Sequence, residues 1–219
     1  MGRIRVAIVD DDKLVRRALT VFLEDADDIE VVGEAVDGIA GVALVQELRP
    51  DVVLLDMQMP RMGGVEAATE IAASVQTTRV LAITTFGTVE MILPMLRAGA
   101  AGYLLKDAEP EAIVEAVRLV HAGGAALSPA ITARLIESAQ DGAPTPRDEL
   151  AAGQQLSERE KEIVTHLALG RSNAEIARAI HVSESTVKTH LSNIMTKWEV
   201  NNRVQILIRA ARSGLVRFR

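Results

Sequence analysis

The sequence predicts an α/β unit, a doubly wound five-stranded parallel sheet, followed by a small all-α unit of four helices. Three observations carry this. Up to residue 122, five short apolar runs alternate with longer stretches of helical spacing. The runs are solidly apolar rather than alternating, as expected of strands buried on both faces. From Leu156 onward the spacing is helical throughout. Five β-α repeats imply a parallel sheet covered by helices on both sides, and an uninterrupted helical tail implies a separate layer of helices.

In order, the strands fall at residues 4–9, 29–33, 52–55, 80–83 and 102–105, each a short run rich in Val, Ile, Leu or Ala. The stretch after the first run places Leu14, Ala18, Leu19, Phe22 and Leu23 along one helical face. The last helix of this half runs from Pro110 to Ala122, with Pro at its start and Gly123-Gly124 beyond its end, the positions helices prefer for them. Pro94 falls inside the fourth helix, where it removes a hydrogen bond and is expected to kink or shorten it.

Residues 123–155 break the rhythm and read as a linker. Within them Pro129 to Ser138 can form a short amphipathic helix with Ile131, Leu135 and Ile136 inward, and the stretch from Asp141 to Asp148 is rich in breakers. Past Leu156, Ser157 and Ser172 each precede a Glu by three residues, the capping-box spacing. Ser183 caps a third helix, and Asn201 or Asn202 a fourth that carries Val204, Leu207, Ile208 and Ala211. Helices at 173–180 and 184–197 are joined by about three residues, the spacing of a helix-turn-helix whose second helix enters the DNA major groove.

The chain has 219 residues, 48% hydrophobic and 25% charged, enough for one large or two small domains. Aromatics are only 2%, so aliphatic residues must fill the cores. Without cysteine, disulfides and thiolate-bound zinc are excluded. No apolar stretch approaches the roughly 18 residues of a membrane span, and the four apolar residues after Arg5 are too few for a signal peptide. A soluble, cytoplasmic chain with no membrane contact is expected. Charge is asymmetric: residues 1–122 carry 11 Lys and Arg against 20 Asp and Glu, whereas residues 156–219 carry 11 against 6. An acidic front and a basic tail suggest different partners, the second anionic.

The chemistry lies where the first and third runs stop. Asp10-Asp11 follows one and Asp56 the other, so strands of one parallel sheet would bring three carboxylates to its carboxyl edge. Crowded carboxylates repel, and a divalent cation relieves that. The leading reading is therefore a Mg²⁺ site with an aspartate available for attack. Taken singly, the same residues have plainer readings: a solvated turn for Asp10-Asp11-Asp12, strand-end punctuation for Asp56, a surface lysine for Lys106.

Set in order, the motifs are Ile8-Val-Asp-Asp11, Pro50-Asp-Val-Val-Leu-Leu-Asp56-Met-Gln-Met-Pro60, Thr84, and Gly99-Ala-Ala-Gly-Tyr-Leu-Leu-Lys106-Asp107. They are followed by Leu156-Ser-Glu-Arg-Glu160, Ser172-Asn-Ala-Glu-Ile-Ala177 and Ser185-Thr-Val-Lys-Thr-His190. On these residues the chain resembles a two-component response regulator of the NarL/FixJ type. The resemblance implies a flavodoxin-like receiver at 1–122, a linker at 123–155, and a LuxR-type helix-turn-helix domain at 156–219. It further implies a phosphoacceptor with at most weak self-dephosphorylation rather than an enzyme. Asp56 would be phosphorylated by a partner sensor histidine kinase, with Thr84 and Lys106 on the phosphoryl oxygens. Mg²⁺ (or Mn²⁺) would be held by Asp10, Asp11, Asp56 and the Gln58 backbone carbonyl. Thr84 and Tyr103 would form the switch that favours a homodimer.

For the second half, the resemblance implies that Lys188, Thr189 and Ser192 face bases or backbone in a double-stranded DNA operator, while Lys197, Asn202 and Arg203 hold flanking phosphates. Glu199 stands where a residue suited to positive φ is usual, so a different exit from that helix is expected, with Trp198 packed at the junction. Ile206 and Arg209 lie partly outside the inward stripe of the last helix, which makes that helix a candidate dimer contact. Phe86 beside Thr84, together with Gln58, is expected to slow attack by water on a phosphoryl group. A phosphohydrolase is the competing class, but such enzymes usually carry Asp-x-Asp after the first strand. A DNA-binding regulator whose receiver is controlled by partner contacts or is constitutively dimeric is the other.

Overall fold

The computed structural model describes residues 2–85, 88–127, 129–140 and 154–216. They form two units, Met1–Ala126 and Leu127–Arg219. In the first, β1 (Ile4–Val9), β2 (Ile29–Ala35), β3 (Val52–Asp56), β4 (Arg79–Thr84) and β5 (Ala100–Leu105) make a parallel sheet in the order β2-β1-β3-β4-β5. Between them run α1 (Lys13–Glu24), α2 (Gly38–Leu48), α3 (Gly64–Ser74) and α4 (Val89–Arg97), and α5 (Pro110–His121) follows β5.

Helices cover both faces, which explains why the strands show no alternation. Ile4, Val6 and Ile8 of β1, Val52 and Leu54 of β3, and Leu81 and Ile83 of β4 pack with Leu19 and Leu23 of α1 and Ile113, Val117 and Val120 of α5. The intervening residues, including Ala7, Val9, Val53, Leu55 and Ala82, are fully buried too, on the side of α2, α3 and α4. The chain reverses direction across the sheet between β1 and β3, and open α/β sheets form their crevice at such a switch point. Asp10 and Asp56 both sit there, because Val9 pairs with Leu55.

Pro94 neither breaks nor ends α4. It occupies the exposed side, Ile92, Met95 and Leu96 are buried, and the Ala98 amide donates to the Pro94 carbonyl at 2.9 Å. The burial of this helix on β5 holds it through one missing hydrogen bond. Among the described residues, no helix is long and apolar enough to cross a membrane.

The second unit contains α6 (Pro129–Gln140), α7 (Glu158–Ala168), α8 (Asn173–Ala179), α9 (Glu184–Trp198) and α10 (Arg203–Arg212). Ser157 and Ser172 form complete capping boxes with Glu160 and Glu175, and Ser183 and Asn202 cap α9 and α10. Between α8 and α9, His181 takes a left-handed φ of 56°. Ile131, Leu135 and Ile136 of α6 are buried, and α6 packs on α10. That packing corrects one expectation. Enclosed by α6, α7 and α9, α10 buries seven of its ten residues, and Ile206 has no exposure with which to touch a second copy. Arg209 is occupied as well, donating to Gln154 Oε1 at 2.8 Å and lying 6.0 Å from the Trp198 ring centroid. Phe86 and the breaker-rich stretch from Asp141 to Asp148 lie outside the described residues.

Candidate functional site

Because β1 and β3 end level with one another, oxygens of Asp10, Asp11 and Asp56 all lie within 4.8 Å of one another. Asp10 and Asp56 are buried and Asp11 is exposed, so the group opens to solvent on one side. Asp10 Oδ1 accepts the Asp12 amide at 2.9 Å, and Asp56 Oδ1 accepts the Met57 amide at 2.8 Å. These bonds turn the remaining carboxylate oxygens toward the crevice.

The neighbouring strands complete the edge in steps. Asp56 pairs with Ile83, so Thr84 extends one residue past it; Thr84 pairs with Leu105, so Lys106 extends one further. The Lys106 amide donates to the Thr84 carbonyl at 2.8 Å, and its Nζ reaches back to Asp10 Oδ2 at 2.7 Å and Asp56 Oδ1 at 3.2 Å. The Lys106 ammonium is thus the partner of that buried Asp10 oxygen. Thr84 is buried and Tyr103 half-buried on β5. Gln58 is exposed in the bend after β3. Gly64 is required close by, since a Cβ there would stand 2.2 Å from the Asp56 carbonyl oxygen.

Burial raises the Asp56 carboxyl above the ordinary carboxylate range, the Lys106 charge draws it back, and Asp10 pushes it up again. Burial works against the Lys106 charge, but Asp10 and Asp56 outweigh it and hold the ammonium above the usual lysine value. Three acids against one lysine leave an excess of negative charge and an all-oxygen donor set, which suits a hard divalent cation.

In the second unit, α9 buries Val187, Leu191, Ile194 and Trp198 and exposes Lys188, Thr189 and Ser192. Sequence reasoning missed Ser185 and Thr196, which the spacing 185, 189, 192, 196 adds to the same exposed face. Lys188 pairs only loosely with Glu184, at 3.6 Å. The three flanking-phosphate candidates do not join this face, and that expectation is corrected. Lys197 Nζ bonds both oxygens of buried Glu160, at 2.9 and 2.7 Å. Asn202 is buried and caps α10 through the Gln205 amide. Arg203 is buried, with Nη2 on the Arg171 carbonyl at 2.7 Å. Each is committed to holding helices together. Trp198 packs at the junction as expected, its Nε1 donating to the Gln154 carbonyl at 2.9 Å. The exit of α9, however, keeps the left-handed form: Glu199 itself adopts φ 55°, and the Val200 amide closes on the Met195 carbonyl at 3.0 Å.

Two regions of the chain match known families. Residues 6–118 match the response regulator receiver domain, and residues 154–210 match the bacterial regulatory proteins of the luxR family. The chain is 39% identical over 211 residues to the uncharacterized transcriptional regulatory protein YhcZ of Bacillus subtilis, covering 96% of this chain and 97% of that protein. It is 37% identical over 217 residues to the transcriptional regulatory protein LiaR of the same organism, covering 97% and 99% respectively. The crystal structure of the response regulator ChrA of a heme-sensing two-component system aligns over 99% of this chain and 100% of its own, at 37% identity and a TM-score of 0.52.

Proposed function

This chain belongs to the two-component response regulators, transcription regulators with a receiver domain and a LuxR-type DNA-binding domain, and from that premise we propose that Asp56 takes a phosphoryl group from a sensor histidine kinase. The observation that carries the reading is the meeting of Asp10, Asp11 and Asp56 at one sheet edge, with Lys106 Nζ 3.2 Å from Asp56. Phosphorylation then controls dimerisation and promoter binding.

An Asp56 oxygen attacks the phosphorus of the kinase phosphohistidine; the phosphorus–nitrogen bond breaks, and the departing imidazole nitrogen takes up a proton. A carboxylate approaches a phosphate poorly unless charge is neutralised, so the residues around Asp56 act by placement and electrostatics. Lys106, held above its usual basicity, stays cationic and passes from the carboxylates to the phosphoryl oxygens. The Thr84 hydroxyl bonds one of those oxygens, and Tyr103 moves inward as Thr84 shifts. The receiver family holds Mg²⁺ at an acidic pocket, and Asp10, Asp11 and Asp56 fit it here; Asp11 and Asp56 would hold it directly, Asp10 through water, and the Gln58 backbone carbonyl would add a ligand. Bound there, Mg²⁺ (or Mn²⁺) supplies the positive charge that lets two anions meet. The chain acts as a phosphoacceptor with at most weak self-dephosphorylation, in the cytoplasm, rather than as an enzyme with turnover.

In the output half, Lys188, Thr189 and Ser192 of α9 enter the major groove of a double-stranded operator, Lys188 toward guanine acceptors or phosphate. Incubation with acetyl phosphate and Mg²⁺, followed by intact-mass measurement, tests the central step. The wild type should gain one phosphoryl group and Asp56→Asn none. Equal uptake by the variant would remove Asp56 from its role.

A further inference from the structure

The acidic pocket has a support that the phosphoryl chemistry does not use. β1 ends at Val9, and the Asp10 amide still bonds the Ala35 carbonyl at 3.1 Å. Beyond it the chain leaves the sheet, and the carbonyls of Asp10 and Asp11 need a donor from elsewhere, because a buried carbonyl without one is costly. Arg16, buried on the first turns of α1, supplies it. Its Nη1 donates to the Asp10 carbonyl at 2.8 Å and the Asp11 carbonyl at 3.3 Å. Its Nε donates to Glu34 Oε2 on β2 at 3.1 Å, and Thr20, one turn later, donates to Glu34 Oε1 at 3.1 Å.

We propose that Arg16 is a positioning residue for the divalent cation: by gripping two consecutive peptide carbonyls it fixes the direction in which the Asp10 and Asp11 carboxylates project, and thereby the affinity of the site. This rests on the metal reading above. The planar fork of the guanidinium matters, since one side chain must serve two carbonyls and a carboxylate in fixed directions. Glu34 offsets the guanidinium charge, so geometry and not charge is the contribution. The two effects have opposite signs. Deleting a nearby cation would tighten cation binding by Coulomb attraction alone, whereas releasing the loop loosens it.

The test is Mn²⁺ binding to the full chain, without phosphoryl donor, followed by electron paramagnetic resonance of the free ion. Partners outside the first coordination sphere of a metal are typically worth about ten- to a hundredfold in affinity, and a loss of that order is expected for Arg16→Gln. Arg16→Lys keeps the charge without the fork and should bind nearly as weakly. Thermal melts in EDTA identify which variants are folded, and either variant alone decides the matter. Unchanged or tighter Mn²⁺ binding in a folded variant overturns the inference, as does wild-type affinity in Arg16→Lys. A wild type that binds no Mn²⁺ overturns the metal reading itself, and the inference with it.

Discussion

Asp56 ends a strand with 4% exposure, beside a second buried carboxylate, and burial is the largest influence on its ionisation. Its carboxyl titrates higher in the folded chain than in the unfolded one. Between those two values the folded state holds the extra proton, so stability is full below the unfolded value and falls as pH rises through the folded one. Ionised Asp56 therefore weakens the fold at neutral pH. In EDTA, Asp56→Asn, which keeps the shape without the charge, should melt above the wild type near neutral pH. The gap should close below the ordinary carboxylate range, where both side chains are neutral. Lys106 opposes this only in part, because Asp10 remains 2.7 Å from its ammonium. Equal melting at neutral pH would mean that the Lys106 pairing cancels the burial of the charge.

Among the elements, α9 ends in a left-handed exit. Glu199 carries a side chain at φ 55°, a region that glycine enters without a Cβ clash, and the closing bonds from Glu199 and Val200 hold it there. Glu199→Gly should raise stability by about 1 kcal/mol, measured by urea denaturation with an unchanged m-value, despite the entropy glycine adds to the unfolded chain. A loss of stability would mean that the left-handed exit carries no strain. The same helix shows where sequence is legible and where it is not. Its buried stripe of Val187, Leu191 and Ile194 follows from local periodicity, and its cap follows from Ser183. The partners of its last turn and of the start of α10 do not, because Lys197 meets Glu160 across 37 residues of chain and Arg203 meets the Arg171 carbonyl across 32. A long cation near a helix end reads alike whether it is bound for phosphate or for a buried oxygen. In the first unit, the doubly buried runs, and the Asp at the end of the first and third, were legible because burial on both faces leaves a solid apolar signature. Arg16 was not, since nothing local distinguishes a cation that turns inward to clamp carbonyls from one in solvent. At Pro94 local propensity argued for a kink or a shortening; the helix continues to Arg97, with Ile92, Met95 and Leu96 buried.

Across the whole molecule, the acidic receiver half and the basic output half meet different ligands, and regulation requires that occupancy of one bias the other. Such coupling is reciprocal for equilibrium binding. If a beryllofluoride mimic at Asp56 tightens operator binding by some factor, operator DNA must tighten beryllofluoride binding by that same factor at fixed protein concentration and salt. Matched titrations by fluorescence anisotropy and calorimetry should return that equality. Lys188→Ala, which acts at the groove, should weaken operator binding by roughly 1–3 kcal/mol and leave the coupling factor alone, whereas Asp56→Asn should bring the factor to one. Protein concentration then separates two routes. Coupling through dimerisation makes the factor depend on protomer concentration by mass action, and release of an interface within one chain does not. The burial of Ile206 under α6, α7 and α9 takes that residue out of a symmetric contact, so a factor that varies with concentration would place the dimer seam on other residues. A factor of one for the wild type would leave a DNA-binding regulator whose receiver answers to something other than phosphate.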